Sequence, residues 1–317
     1  MGCVLSAFLI PSSLASAENY PAKPIRIITP VTAGTAGDLR VRLLAEKLSA
    51  RLGQRFVVEN KPGAGTTLGN AHAAAAKPDG YTILATFTPS FTIGPLIYKD
   101  VGYDPEKSFV PIAIFARASP IFVVHPDVPA KTIKEFIALA RSKPGEVTVA
   151  HSGFGGGAIL PTELFRQAAT LDLLYVPYKG ESLATPDLLG GQVSAMFVYT
   201  ASGVPLIKAR KLRALAVAGA ARNGALPGVP TFVEEGYPDV QFYVHGVFLG
   251  PVGLSKDIAT LLSREIAAIL KDPEVIASYE STGGEPVYGS PEQVRELLRR
   301  ELKVSRQLVE KLGAVPE

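Results

Sequence analysis

Ile25-Arg26-Ile27-Ile28-Thr29-Pro30-Val31-Thr32-Ala33-Gly34-Thr35-Ala36-Gly37-Asp38, followed by Leu44, Leu48 and Leu52 at i+4 spacing and then Gly53, is the stretch whose reading decides the fold. A β-branched run, a turn of small residues and an apolar stripe closed by glycine read as strand, loop and helix. Asp38 is expected as the N-cap of a helix that starts at about Leu39. The same alternation continues outward. Strand-like runs at 56–58, 81–85, 112–115 and 121–124 are separated by amphipathic segments, the signature of a parallel sheet with helices on its faces. A second set of units opens at Thr132-Ile133-Lys134-Glu135, a capping box. It carries strand candidates at 147–150, 173–176, 195–198 and 215–217. Beyond the turn-rich Leu226-Pro227-Gly228-Val229-Pro230, a strand at 242–249 leads into long helices. The last of these begins at Ser290-Pro291-Glu292-Gln293, with proline at the first helical position. The fold class expected is α/β.

Residues 1–17 combine an apolar run with Ala15-Ser16-Ala17 and read as a secretory signal peptide, although no Lys or Arg precedes Glu18. Met1-Gly2-Cys3 also fits the start of a myristoylation pattern, but it overlaps the export signal. An exported, periplasmic protein is expected. Removal of the signal takes away the single cysteine, which excludes a disulfide framework and thiolate chemistry in the rest of the chain. The remaining residues, about 300, exceed one comfortable core and imply two domains. No later stretch reaches the roughly 18 apolar residues of a membrane span. A net charge of +3 spread along the chain gives no case for nucleic acid.

Ligands of open α/β sheets bind beyond the carboxyl ends of strands. Four loops there are rich in small polar residues: Thr32, Ala33, Gly34 and Thr35; Phe87, Thr88 and Ser90; Ser152, Phe154, Gly155 and Gly156; Tyr199 and Thr200. Any one could be an ordinary tight turn. Together they suggest an anion, a carboxylate or phosphate, held by backbone N–H groups at helix N-termini. The run 153–158 also satisfies G-x-G-x-x-G/A, with Asp172 about twenty residues on. Asp172, however, precedes its strand instead of following it, which places it away from a ribose. No cofactor is expected. His72, His125, His151 and His245 have no metal-ligand spacing, so no metal is expected either. Ser152 lies outside a nucleophile elbow. The expectation is a protein that is not an enzyme, with a nucleotide-dependent dehydrogenase or a Ser152 hydrolase as rivals.

Pro24 to Asp38, Val57-Val58-Glu59-Asn60-Lys61-Pro62-Gly63-Ala64-Gly65, Pro78-Asp79-Gly80-Tyr81-Thr82, Val124-His125-Pro126, Val176-Pro177-Tyr178-Lys179-Gly180, Asp187-Leu188-Leu189-Gly190-Gly191-Gln192-Val193 and Lys211-Leu212-Arg213-Ala214-Leu215-Ala216-Val217 occur in that order. In this the chain resembles the solute receptors of tripartite tricarboxylate transporters, the Bug or TctC-like family. The resemblance implies a two-lobed periplasmic binding protein type II fold. Residues 22–121 with 231–317 would form one lobe and 122–230 the other. It further implies a small di- or tricarboxylate or aromatic carboxylate ligand, hinge closure around it, and membrane components of the transporter as partners, with a sensor kinase as the alternative. A monomer is expected.

Two departures from the family pattern bear on the ligand. Thr35 follows Gly34 where paired glycines are common, and Thr tolerates positive φ poorly. No Asp stands in 193–199, which removes an expected acceptor for an ammonium group. Phe87, Phe91, Phe154, Tyr199 and Tyr243 would line the cleft and suit a carboxylate with an apolar or aromatic body.

Overall fold

The computed structural model describes residues 20–151, 159–178 and 180–311; the expected signal peptide, Ser152 to Ala158 and Lys179 lie outside them. The first part of the chain runs β1 (Ile25–Thr29), α1 (Ala36–Leu52), β2 (Phe56–Asn60), α2 (Thr67–Ala74), β3 (Thr82–Phe87), α3 (Thr88–Ile97) and β4 (Phe109–Ala118). The middle runs β5 (Ile121–Val124), α4 (Ile133–Ser142), β6 (Thr148–His151), α5 (Ile159–Ala169), β7 (Leu174–Pro177), α6 (Glu181–Leu189), β8 (Ala195–Val198), α7 (Thr200–Lys208) and β9 (Arg213–Val217). The last part is β10 (Val244–Pro251), α8 (Lys256–Ile269), α9 (Pro273–Ser281) and α10 (Pro291–Lys311).

Two five-stranded sheets result, ordered β2-β1-β3-β10-β4 and β7-β6-β8-β5-β9. Within each, three neighbours are parallel, β2-β1-β3 and β7-β6-β8, as the βα alternation requires. The remaining strands pair antiparallel, which makes both sheets mixed. The cause is connectivity. β5 follows β4 after only two residues, and β10 enters the first sheet from the second without a crossover helix, so each runs against its neighbour.

Local signals explain the helix ends. Thr132 caps α4 by accepting from the Glu135 amide at 3.1 Å, while Glu135 reaches back to the Lys131 amide at 2.6 Å. Ser290 and Gln293 make the equivalent reciprocal pair ahead of α10, at 3.4 and 2.8 Å. Both faces of each sheet are covered. Val41, Leu44 and Leu48 of α1 share a buried cluster with Leu262 and Ile266 of α8 and Tyr279 of α9. On the opposite face Phe91 of α3 and Leu297 and Leu298 of α10 pack together. In the second sheet Phe122 sits among the rings of Phe136, Phe165 and Phe197, all within 5.1 Å centroid to centroid.

The segment after Pro230, expected with the first lobe, packs on the second sheet. Phe232 and Val240 are buried in the cluster around Phe122, with Tyr237 and Phe242 against it, and the Phe242 amide bonds to the Ala218 carbonyl at 2.7 Å. Burying these apolar side chains keeps the chain on the second sheet until β10 begins. Once there, β10 is inserted between β3 and β4, where Gly246 faces Phe87 and Ala116. A Cβ on Gly246 would lie 2.6 Å from the buried Phe115 ring. Gly246→Ala is therefore expected to lower stability by about 1–3 kcal/mol through overpacking, measured as a reduced midpoint in urea with an unchanged m-value.

Candidate functional site

At the end of β1 the backbone turns through Thr32, Ala33, Gly34 and Thr35, all exposed. The left-handed conformation falls on Gly34 (φ 81°), while Thr35 is extended (φ −71°, ψ 160°), so threonine at this position carries no strain. Thr35, not Asp38, is the N-cap. Its hydroxyl accepts from the Asp38 amide at 3.4 Å and donates to the Thr32 carbonyl at 2.8 Å. The helix starts at Ala36, three residues before the expected Leu39, because Asp38 serves as the acidic member of a capping box and accepts from the Gly34 amide at 2.8 Å. Among the described residues the amides of Ala33, Ala36 and Gly37 have no partner. This turn thus offers unspent N–H groups at the positive end of a 17-residue helix.

Asp38 fixes that geometry. Only 1% exposed, it accepts from Arg42 Nε at 2.9 Å and from Asn60 Nδ2 at 2.8 Å, and Asn60 Nδ2 also bonds to the Val31 carbonyl at 3.0 Å. Arg42 closes the ring on Asn60 Oδ1 at 2.7 Å. Burial alone would push the Asp38 carboxyl up, but the bonds from Arg42, Asn60 and Gly34 outweigh it and hold the group below the usual carboxylate range. The turn after β1 is thereby tied to the end of β2.

The second loop is more inward than expected. Thr88 is fully buried. Its hydroxyl donates to Glu301 Oε1 at 3.0 Å and accepts from the His245 amide at 3.3 Å, which commits it to joining α3, β10 and α10. Ser90 is half-buried. Phe91 is core, stacked on Tyr103 at 5.3 Å. Phe87 is half-buried, edge-on to Phe115 at 5.9 Å, and its ring covers Gly37, where a Cβ would approach to 2.9 Å. Tyr243 belongs to the crossing just before β10. Its hydroxyl accepts from the Ala220 amide at 2.6 Å and its ring lies under the Arg117 guanidinium at 4.6 Å, so it joins the two sheets at their connection.

On the second sheet, Ser152, Phe154, Gly155 and Gly156 lie outside the described residues. His151 beside them is 6% exposed, edge-on to Tyr175 at 5.6 Å, and burial pulls its imidazole pKa down. Asp172 stands before β7, at the end remote from the β6 carboxyl end, where it cannot meet a ribose. Tyr199 and the nearly buried Thr200 open α7. A residue the sequence reading missed joins them. Glu181, first in α6, accepts from the Tyr199 amide at 3.0 Å and from the Ser202 hydroxyl. Burial pushes its carboxyl up, against those two bonds, while burial and then the Glu181 charge push the Tyr199 phenol up. The α7 N-terminus faces the first sheet's helices. Asn223 Nδ2 bonds to the Gly283 carbonyl at 2.9 Å, and a Cβ on Gly283 would meet Thr200 Cβ at 2.9 Å.

Among the described residues no three His, Asp or Glu side chains gather as a metal set. Grooves lined by Phe109, Leu249 and Arg299 and by Pro126, Ile207 and Arg213 lie at the strand ends remote from these turns. The turns after β1, β3 and β8 are brought to the facing edges of the two sheets, and that is where comparison with known proteins is informative. Residues 40–314 match the model of the tripartite tricarboxylate transporter family receptor, TctC. The chain belongs to this receptor family. The receptor is similar to Protein BugT of Bordetella pertussis, at 32% identity over 98% of this chain and 97% of that one. It is also similar to a Rhodopseudomonas palustris protein solved with adipate, at 29% identity and a TM-score of 0.83, covering 94% of this chain and 100% of the other. MatC from the same organism, solved with malate, shares 26% identity at a TM-score of 0.78, over 92% and 100%. No helix among the receptor's described residues is long and apolar enough to cross a membrane.

The depressed Asp38 carboxyl gives a pH signature. Its contribution to stability is present above the unfolded value, about 4, and is lost as pH falls through the lower folded value. Asp38→Asn is expected to cost about 1–3 kcal/mol at pH 7, with the gap to the parent closing as pH falls below about 4; urea melts across that range measure it.

Proposed function

We propose that the protein is the exported solute receptor of a tripartite transporter, which captures a small carboxylate between its two lobes and releases it unchanged. The observation that carries this reading is the turn Thr32 to Gly37, whose Ala33, Ala36 and Gly37 amides are unspent at a helix N-terminus. Such a group of donors matches a carboxylate without needing a counter-cation. Relatives solved with adipate and with malate support the same ligand class.

In this reading the first lobe comprises residues 22–118 and 244–311, and the second 121–242. Ser119-Pro120 and Tyr243 form the two crossings about which the lobes rotate. Closure over the ligand adds the α7 N-terminus to the first-lobe turn, and the closed form is what membrane components of the transporter recognise. Capture needs no chemical step, and the turns supply donors in place of a nucleophile and base.

Two measurements test the proposal. In a thermal-shift screen of organic acids, a ligand at one hundred times its Kd should stabilise the protein by about 2.7 kcal/mol and be recovered chemically unaltered; shifts by sugars or cationic amino acids alone would refute the anion assignment. Ala36→Pro is the sharper probe. Position 36 is the first helical residue, where proline is tolerated, and Thr35 already has the extended ψ that a following proline requires. The change removes one N–H and little else. Carboxylate affinity is expected to fall by about tenfold or more, the worth of one charge-assisted hydrogen bond, with the melting temperature of the unliganded protein nearly unmoved.

A further inference from the structure

The two facing edges of the cleft are not electrically alike. On the first lobe the α1 N-terminus presents amides with no acid competing for them except Asp38, whose oxygens are turned inward onto Gly34, Arg42 and Asn60. On the second lobe a carboxylate stands at the corresponding helix end. Glu181 reaches from the start of α6 to the start of α7 and takes both the Tyr199 amide and the Ser202 hydroxyl. These are donors that a ligand carboxylate would otherwise seek at that helix end. Ser202 has a single hydroxyl proton, and it lies within bonding distance of the Tyr199 carbonyl as well, at 2.9 Å. The α7 terminus keeps the amides of Thr200, Ala201 and Ser202, for which no acceptor is found among the described residues, but it carries an acid of the protein's own beside them.

Position makes that acid part of the cleft. β7, β6 and β8 run parallel, so the residues that follow them share one edge of the sheet, and Glu181 and Tyr199 follow β7 and β8. That edge is the one turned toward the first lobe, as the contacts of Asn223 and Thr200 with Gly283 show. No Lys or Arg among the described residues forms an ion pair with Glu181. A second carboxylate brought to this wall would meet a like charge in a partly desolvated site, where repulsion is weakly screened.

We propose that Glu181 acts as a charge filter, so that the preferred ligand carries one carboxylate, bound by the α1 turn, and an uncharged or hydrogen-donating far end against the second lobe. This rests on the carboxylate reading of the cleft and narrows it from carboxylates in general to monocarboxylates. Glu181 also supplies the acceptor for a ligand hydroxyl or ammonium group that the sequence lacked in 193–199.

The experiment is isothermal titration calorimetry on the full chain with two sets of matched skeletons: hexanoate, 6-hydroxyhexanoate and adipate; benzoate, 4-hydroxybenzoate and terephthalate. In whichever skeleton binds, the second carboxylate is expected to weaken binding to the parent by at least about tenfold. Glu181→Gln keeps the acceptor and removes the charge, and Glu181→Ala removes both. Each should narrow the ratio between dicarboxylate and monocarboxylate by about tenfold, with thermal melts reporting that the variants are folded. A parent that binds the dicarboxylate as well as or better than the monocarboxylate overturns the filter, as does a ratio that neither variant narrows. Failure of every acid to bind parent and variants alike would instead overturn the carboxylate reading on which the filter rests.

Discussion

The buried carboxylate of Asp38 is the interaction on which the binding edge depends. Helix N-termini leave amides unspent in every α/β protein, but those amides are useful to a ligand only if the turn before them keeps its shape when empty. Asp38 does this by spending its oxygens on Gly34, Arg42 and Asn60, so that turn, helix and neighbouring strand move as one piece. An acid placed inward leaves the outward amides of Ala33, Ala36 and Gly37 free of competition. The second lobe reverses the arrangement, since Glu181 is spent on the helix end itself. One fold thus uses two carboxylates differently, one turned inward behind the amides it positions and the other set at a helix end as a negative charge.

Much of the architecture was legible in the chain because its signals are local. Capping boxes at Thr132 and Ser290, the β-branched runs and the i+4 stripe of α1 each act within a few residues and appear where expected. The antiparallel strands were not legible, because their direction follows from a chain that passes between sheets, and no residue in β10 records where its partners lie. The same limit explains why residues 231–242 read as part of the first lobe. Only the contact of Phe232 and Val240 with the Phe122 cluster shows otherwise.

At the site the division is similar. The small residues of the first turn announced an anion, and Gly34 is the one position there that needs a left-handed backbone. Thr88 and Phe91 looked equally suited to the cleft in sequence, yet burial against Glu301 and Tyr103 takes them out of it. Composition alone cannot tell a hydroxyl offered to a ligand from one spent on a helix. Glu181 was invisible for the converse reason. Its cap spans 18 residues to Tyr199, far beyond the three-residue spacing by which capping acids are recognised.

The insertion of β10 has a consequence for the order in which the molecule assembles. The second sheet is built from one continuous stretch, Ile121 to Val217, and can close as soon as that stretch is available. The first sheet cannot. β3 and β4 have no direct pairing, and the strand that joins them arrives more than a hundred residues later. Until then β1, β2 and β3 form a fragment with an open edge, and the entropy of closing so long a loop slows its completion. The delay is written into topology: the first sheet has to wait for a strand from the far end of the chain, while the second needs only its own stretch.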